Sequence, residues 1–365
     1  MRVFDPKFDL LVESEGQDVT NAFMDAVEQL TFSNSIGSLD QLKATLLNPR
    51  HELTRKKMIQ PGNTIEIWTG WGGEVAFLGA VTLENWLGKF PTEGMPKINI
   101  NGLCGGSKLA ARKEEELFMF SRPSDAVHII SEHHGFLTDV EQAGKRDDFA
   151  KEAGNSDWEF LMGLAGTVGF DFYVEWDPAK KIWVTHWHSQ RQDQETTFRF
   201  RYDPDGQRST LFNIDISFGI QYDNASQVVV YAWNGEEYVE LKTEEEDGAD
   251  VDTKNVGQPD LTTFPDEFVP LRIGIGGNAV DVLPNIPILD ADTAYTYAKD
   301  LLERRKREFI TAKGRLIGIE GLKARQVHTI EGLEQFSGEY FFTKVDHRIG
   351  SDGYWCDFIA NKVLK

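Results

Sequence analysis

The sequence predicts a mainly β protein with an α+β insertion and one long helix in its C-terminal third. Three observations carry this reading. Apolar and polar residues alternate through most of 1–121 and again beyond 191, the period of a half-buried strand. Between 122 and 190 the period lengthens to that of an amphipathic helix. Residues 336–362, FSGEYFFTKVDHRIGSDGYWCDFIANK, form two aromatic runs about a Gly-Ser-Asp-Gly turn, the pattern of a β-hairpin.

The N-terminal elements follow in order. FDLLVES and VEQLTFSNS alternate, and LDQLKATLLNP is a strand halted at Asn48-Pro49. In NTIEIWTGWGGEVAFLGAV, joined through Gly72-Gly73, Ile65, Ile67 and Val75, Phe77 alternate with less apolar neighbours, as a half-buried antiparallel pair should. PKININGLCG adds a strand with Ile98 and Ile100 on one face. In SRPSDAVHIISEHHGF, Ser124 is the expected helix cap and Gly135 the stop. NSDWEFLMGLAGTVGFDFYVEW repeats this grammar: Asn155 or Ser156 caps, Trp158, Leu161, Met162 and Ala165 form the stripe, and Gly169 ends it. The strands FDFYVEW and KIWVTHW follow, then TTFRFRY, LFNIDISFGI and SQVVVYAWN. Residues 243–262 are acidic and aperiodic and read as a solvated loop. The long helix is expected over 290–310, capped by Asp290 or Asp292, with its basic run Arg304-Arg305-Lys306-Arg307 where the helix dipole favours cations.

Composition bounds the function. The chain has 365 residues, 38 basic against 59 acidic, for a net charge of −21. Such a balance excludes a general nucleic-acid-coating role, which needs a basic footprint. Cys104 and Cys356 are the two cysteines and lack metal-type spacing, so neither a disulfide framework nor a thiolate site is expected. No apolar run is long enough to span a bilayer, and the N-terminus lacks the pattern of a secretory signal.

Local motifs assign no chemistry. His128, His133 and His134 fall around one helix and lack the spacing of a zinc motif. His186 and His188 share a strand face as a two-histidine half-site without readable further ligands. LRIGIGGNAV places Gly274, Gly276 and Ala279 like a dinucleotide fingerprint, but Pro284 and Pro287 forbid the helix that must follow. Asp247, Asp250 and Asp252 do not fit a calcium loop. The catalytic, cofactor and metal assignments are therefore all none. The nine tryptophans fall mostly at strand positions, where they serve either core filling or subunit contact.

Three longer stretches, in order, carry a resemblance. In TIEIWTGWGGEVAFLGAVTLENWLGKFPTEGMPKININGLCGGSKL the residues Phe77, Gly79, Val81, Phe90-Pro91, Gly94, Pro96, Gly102 and Leu109 keep the cadence of the phage late control D family of tail hub proteins. That family includes the base portion of VgrG-type contractile injection proteins. SDWEFLMGLAGTVGFDFYV resembles its inserted segment, and residues 290–349 resemble its helix, late strands and closing hairpin.

The resemblance implies two tube-like antiparallel β-barrel domains plus a small α/β domain. The first barrel would be residues 1–121, completed by part of 191–235; the insertion 122–190; the second barrel 191–365, closed by the hairpin. It implies a non-enzymatic homotrimer, a structural baseplate hub joining a six-fold tail tube to a three-fold central spike. Expected partners are the tail tube and spike proteins, with tape measure and baseplate wedge proteins beyond them. DNA would pass without specific binding, and no membrane insertion is expected. The protein would be made in the bacterial host cytoplasm and reside in a virion or phage-tail-like particle. The chain carries no OB-fold or needle after the hub segment, so the spike is expected to be a separate polypeptide. A tail-associated cell-wall hydrolase and a carbohydrate-binding tail module are the rival readings.

Overall fold

The computed structural model describes residues 6–14, 17–18, 20–71, 74–189, 198–204, 209–218, 227–232, 269–274, 280–286 and 310–363. The chain divides into two compact units, one of residues 1–162, 171–216 and 312–363, the other of 163–170, 217–311 and 364–365.

The first part of the chain supplies β1 (Pro6–Ser14), β2 (Gln17–Asp18), α1 (Thr20–Met24), β3 (Val27–Ser35), β4 (Gln41–Leu47), α2 (Glu52–Arg55), β5 (Thr64–Trp71), β6 (Glu74–Lys89), β7 (Lys97–Leu103) and α3 (Gly106–Ala111). Next come β8 (Glu116–Ser121), α4 (Pro123–His133), β9 (Leu137–Val140), β10 (Asp147–Lys151), α5 (Asp157–Val168), β11 (Phe170–Asp177) and β12 (Ile182–Ser189). The remainder gives β13 (Arg199–Arg201), β14 (Leu211–Phe218), β15 (Gln227–Ala232), β16 (Val269–Gly274), β17 (Val280–Ile286), β18 (Ile310–Ile317), β19 (Val327–Glu331), β20 (Gly338–Gly350) and β21 (Gly353–Lys362).

The protein is thus mainly β, built on one large sheet in the order β14-β18-β21-β20-β3-β4-β7-β6-β5-β1-β2, with β19 on β20 and β13 on β19. Its pairing is antiparallel from β20 through β3, β4, β7, β6 and β5 to β1, and the β13–β19 pair is parallel. Alternation explains the core. Leu42 and Leu46, Ile65 and Ile67, and Ile98 all point one way from their strands and are fully buried. Each such side chain contributes about 1.5–3 kcal/mol of apolar burial. Gly79 sits where a β-carbon would lie 2.6 Å from the Phe32 ring, so the strand can seat that ring only with no side chain there.

The two terminal strands pair as the expected hairpin, in register from Tyr340↔Lys362 to Gly350↔Gly353. β20 lies on β3 and β21 on β18, so neither long strand presents an open edge. Tyr340, Phe342, Val345, Tyr354, Cys356, Phe358 and Ala360 are buried along it. The Tyr354 ring packs where Gly318 has no side chain, and an added β-carbon would overlap the ring. Gly318→Ala is expected to cost about 1–3 kcal/mol by overpacking, read as a lower denaturation midpoint at unchanged slope. An unchanged midpoint would show that the ring can move aside.

Three sequence expectations need correction or placement. Ser124 is not the cap of α4. The helix starts two residues earlier, with Pro123 at its first position and Arg122 as N-cap, whose backbone N–H donates to the Asp125 carboxylate at 3.0 Å. Ser124 is buried in the first turn and donates to the Ala143 carbonyl. The short helices α1, α2 and α3, which the sequence did not show, interrupt the β-rich first region. The acidic loop 243–262 and the helix 290–310 lie outside the described residues, apart from Ile310, which opens β18.

Other expectations hold. Ser156 and Glu159 cap α5 reciprocally, the Glu159 N–H donating to Ser156 Oγ and the Ser156 N–H to the Glu159 carboxylate. Gly135 and Gly169 follow α4 and α5 with φ of +69° and +70°. In the second unit β15 pairs antiparallel with β16 and parallel with β17. The segment after the glycine-rich 274–279 stretch is therefore a strand, which rules out the fingerprint's helix. Cys104 and Cys356 are free and buried.

Candidate functional site

A second small sheet, ordered β11-β12-β9, builds the site. β9 runs parallel to β12, with His186 opposite Asp139 and Val184 opposite Leu137. Period-two alternation divides the side chains between two faces. Phe172, Val174, Trp183, Thr185 and Trp187 form the buried face. That face meets α4 through the Ser131–Thr185 hydroxyl contact at 2.9 Å and the start of α5 through Trp158 on Phe172.

The opposite face carries the alternate residues Asp171, Tyr173, Glu175, His186, His188 and Asp139. They line a cavity of about 350 Å³ whose far wall is Lys323, Ala324, Arg325, Gln326 and Phe341. The far wall is strained as well as charged. Arg325 has φ of +70°, a conformation costly for a long side chain. Its guanidinium lies 4.1 Å from the Tyr173 ring centroid and donates to Glu175 Oε1 at 3.3 Å and to the Ser35 carbonyl at 3.4 Å. Lys323 Nζ stands 3.9 Å from the same Glu175 oxygen. Burial works to raise the Glu175 carboxyl, but Lys323 and Arg325 outweigh it and hold the group below its ordinary range.

At the other end, one oxygen of Asp139 faces both histidines. Asp139 Oδ2 is 3.1 Å from His186 Nδ1 and 2.9 Å from His188 Nε2. His186 stacks on Tyr173 with centroids 4.7 Å apart and rings 13° from parallel. Burial lowers the His186 pKa against the pull of Glu175 and Asp139, so its imidazole is neutral at neutral pH. Burial would raise the Asp139 carboxyl, but the hydrogen bonds from the two histidines lower it, so it is ionised. The site thus offers two imidazole nitrogens and a carboxylate beside a paired acidic-basic wall. Its chemistry is that of ligand donors.

The sequence-selected histidines separate into two groups. His186 and His188 do share a face. His128, His133 and His134 diverge, to Thr138 at 2.9 Å, Glu116 at 3.6 Å and Asp157 at 2.7 Å. Sequence reasoning missed Asp139, because a four-residue strand and a parallel register over a separation of 47 residues leave no local signal. Of the tryptophans, Trp183 and Trp187 are buried core, and Trp86 is exposed. Trp233 lies outside the described residues. Among the described residues no helix is long and apolar enough to cross a membrane.

The fold is one found in phage tail proteins. A 43 kDa tail protein of prophage MuSo2 from Shewanella oneidensis aligns over 98% of both chains, with TM-score 0.69 and 11% identity. A tail protein from Neisseria meningitidis MC58 aligns over 97% of this chain and 96% of its own, with TM-score 0.69 and 10% identity. The E. coli c3393 protein, a component of the type VI secretion system, aligns over 98% of this chain and 77% of its own, with TM-score 0.62 and 10% identity. At such identities these likenesses establish a shared fold. A family model described as the Alg8 N-terminal domain matches residues 46–351, and the chain belongs to that family. No curated protein matches the sequence.

Proposed function

We propose that this protein is a structural hub of a phage-type tail or contractile injection system. In this reading it is a homotrimer that joins a six-fold tube to a three-fold spike and lines the delivery channel without catalysis. The observation that carries the proposal is the end-to-end likeness to two tail proteins, over nearly the whole of both chains in each case. The c3393 protein, also similar along this chain, is described as resembling the T4 tail proteins gp27 and gp5.

In this reading residues 1–121 with part of 191–235 form one cylinder and 191–365 the other, with 122–190 as the insertion and the β3–β20 ladder at the seam. Two cylinders in each of three chains present six similar units to a six-fold tube. Exposed Trp86, Leu87, Phe90 and Met95 around the β6–β7 connection, and Leu117, Met119 and Phe120 on β8, are apolar surface that neighbouring copies would cover. A net charge of −21 suits a conduit that must not hold DNA.

Mass photometry of the full chain, alone and co-expressed with its spike partner, tests this. A species of three chains, alone or with the spike, is the expected result. A monomer under both conditions that clears peptidoglycan in a zymogram would replace the hub by the hydrolase.

A further inference from the structure

The cavity on the β9-β11-β12 sheet holds a group of donors that the tail reading leaves unused. Asp139, His186 and His188 each aim a ligand atom at the same small volume, and those atoms all lie within 4.8 Å of one another. We propose that these three residues bind one divalent transition-metal ion of the zinc class, with its remaining coordination positions open to the cavity.

The two contacts to Asp139 need little adjustment. A tetrahedral ion with bonds of about 2.0–2.1 Å separates its ligand atoms by roughly 3.3 Å. The two Asp139 contacts, at 3.1 and 2.9 Å, are a few tenths short of that. Asp139 can open them, because its side chain is 59% exposed and sits on a strand end. The histidines are already oriented. His186 is held flat against Tyr173, and among the described residues His188 Nδ1 is buried without a hydrogen-bond partner, so the Asp139 contact is the polar anchor they give that imidazole. An ion replaces two hydrogen bonds to one carboxylate oxygen by three bonds to itself.

Charge and donor type choose the ion. Three carboxylates, Asp139, Asp171 and Glu175, face two cations, Lys323 and Arg325, so the cavity favours a positive guest. Two imidazoles and one carboxylate suit zinc, cobalt or nickel, whereas magnesium and calcium prefer all-oxygen sets. With three protein ligands the site has the open form seen where a metal also takes a further group, and Glu175 lines the same cavity.

The test uses the full chain, free of any purification tag, stripped with EDTA and titrated with Zn²⁺ by calorimetry at neutral pH. One ion per chain is expected. Asp139→Asn and His188→Ala should each weaken uptake at least ten-fold, while His133→Ala, outside the cavity, leaves it unchanged. X-ray absorption on the zinc-loaded wild type should show two imidazoles and an oxygen shell. This measurement stands even if a variant fails to fold. No uptake at tens of micromolar Zn²⁺, equal uptake by all variants, or a spectrum with fewer than two imidazoles would overturn the assignment. None of these outcomes bears on trimer formation.

Discussion

Asp157→Ala is expected to destabilise the first unit by about 3–5 kcal/mol, the cost of leaving a buried charge without its partner. Asp157 opens α5 and is completely buried, as is Lys151 at the end of β10, whose ammonium bonds directly to its carboxylate. His134, just past α4, meets the other oxygen at 2.7 Å, and Arg112 reaches it at 3.3 Å. Four segments around the insertion are therefore tied to one carboxylate. Burial works to raise that group, but His134, Lys151 and Arg112 overcome it and lower its pKa. Removing the carboxylate leaves the fully buried Lys151 ammonium without that partner, on the β8–β10 pair where Phe118 stacks on Phe149 and Phe160. The double variant Lys151→Met, Asp157→Ala removes the stranded charge and should recover part of the loss. Urea unfolding followed by circular dichroism would show this. A single variant within 1 kcal/mol of wild type would mean that water reaches Lys151.

None of that cluster was legible in the sequence. Lys151 and Asp157 sit in polar surroundings, in a region rich in acidic and basic residues, and nothing local marks them as buried. What was legible depends on short-range periodicity. The alternations in KIWVTHW and FDFYVEW placed two strands, and the SDWE capping pattern placed the start of α5. The terminal hairpin showed itself through its turn and its aromatic runs. Failures came where tertiary context decides. Ser124 had the better capping side chain, but Pro123 is pre-set for the first helical position and moved the start forward. The candidate site divides in the same way. The shared face of His186 and His188 follows from their spacing, but Asp139 reaches them only through a parallel pairing, and the far wall comes from residues 323–326.

Stability is expected to fall between pH 6.5 and about 4 through two buried histidines. His347 bridges the hairpin, its ring nitrogens 2.7 Å from the Tyr354 hydroxyl and 2.7 Å from the Leu322 carbonyl. The carbonyl can only accept, so Nε2 carries the proton and Nδ1 accepts from Tyr354. His328 is enclosed by Phe198, Phe200 and Phe342. Burial pushes both pKa values down to about 4. The unfolded chain titrates near 6.5, so between these values it binds more protons than the native state. Each neutral histidine thus contributes stability that is full above pH 6.5 and lost as pH falls toward 4, about 3 kcal/mol apiece. Asp40 opposes them. Burial raises its pKa to about 6, so its contribution is favourable in acid and is lost as pH rises through that value. Among these three groups the balance is a net loss of roughly one histidine's share, about 3 kcal/mol. His328→Phe suits the aromatic surround and removes one of these titrations, leaving a shallower decline over this range. Denaturation midpoints measured from pH 7 to pH 4 distinguish the outcomes. An equally steep decline in the variant would place the acid sensitivity in groups other than His328.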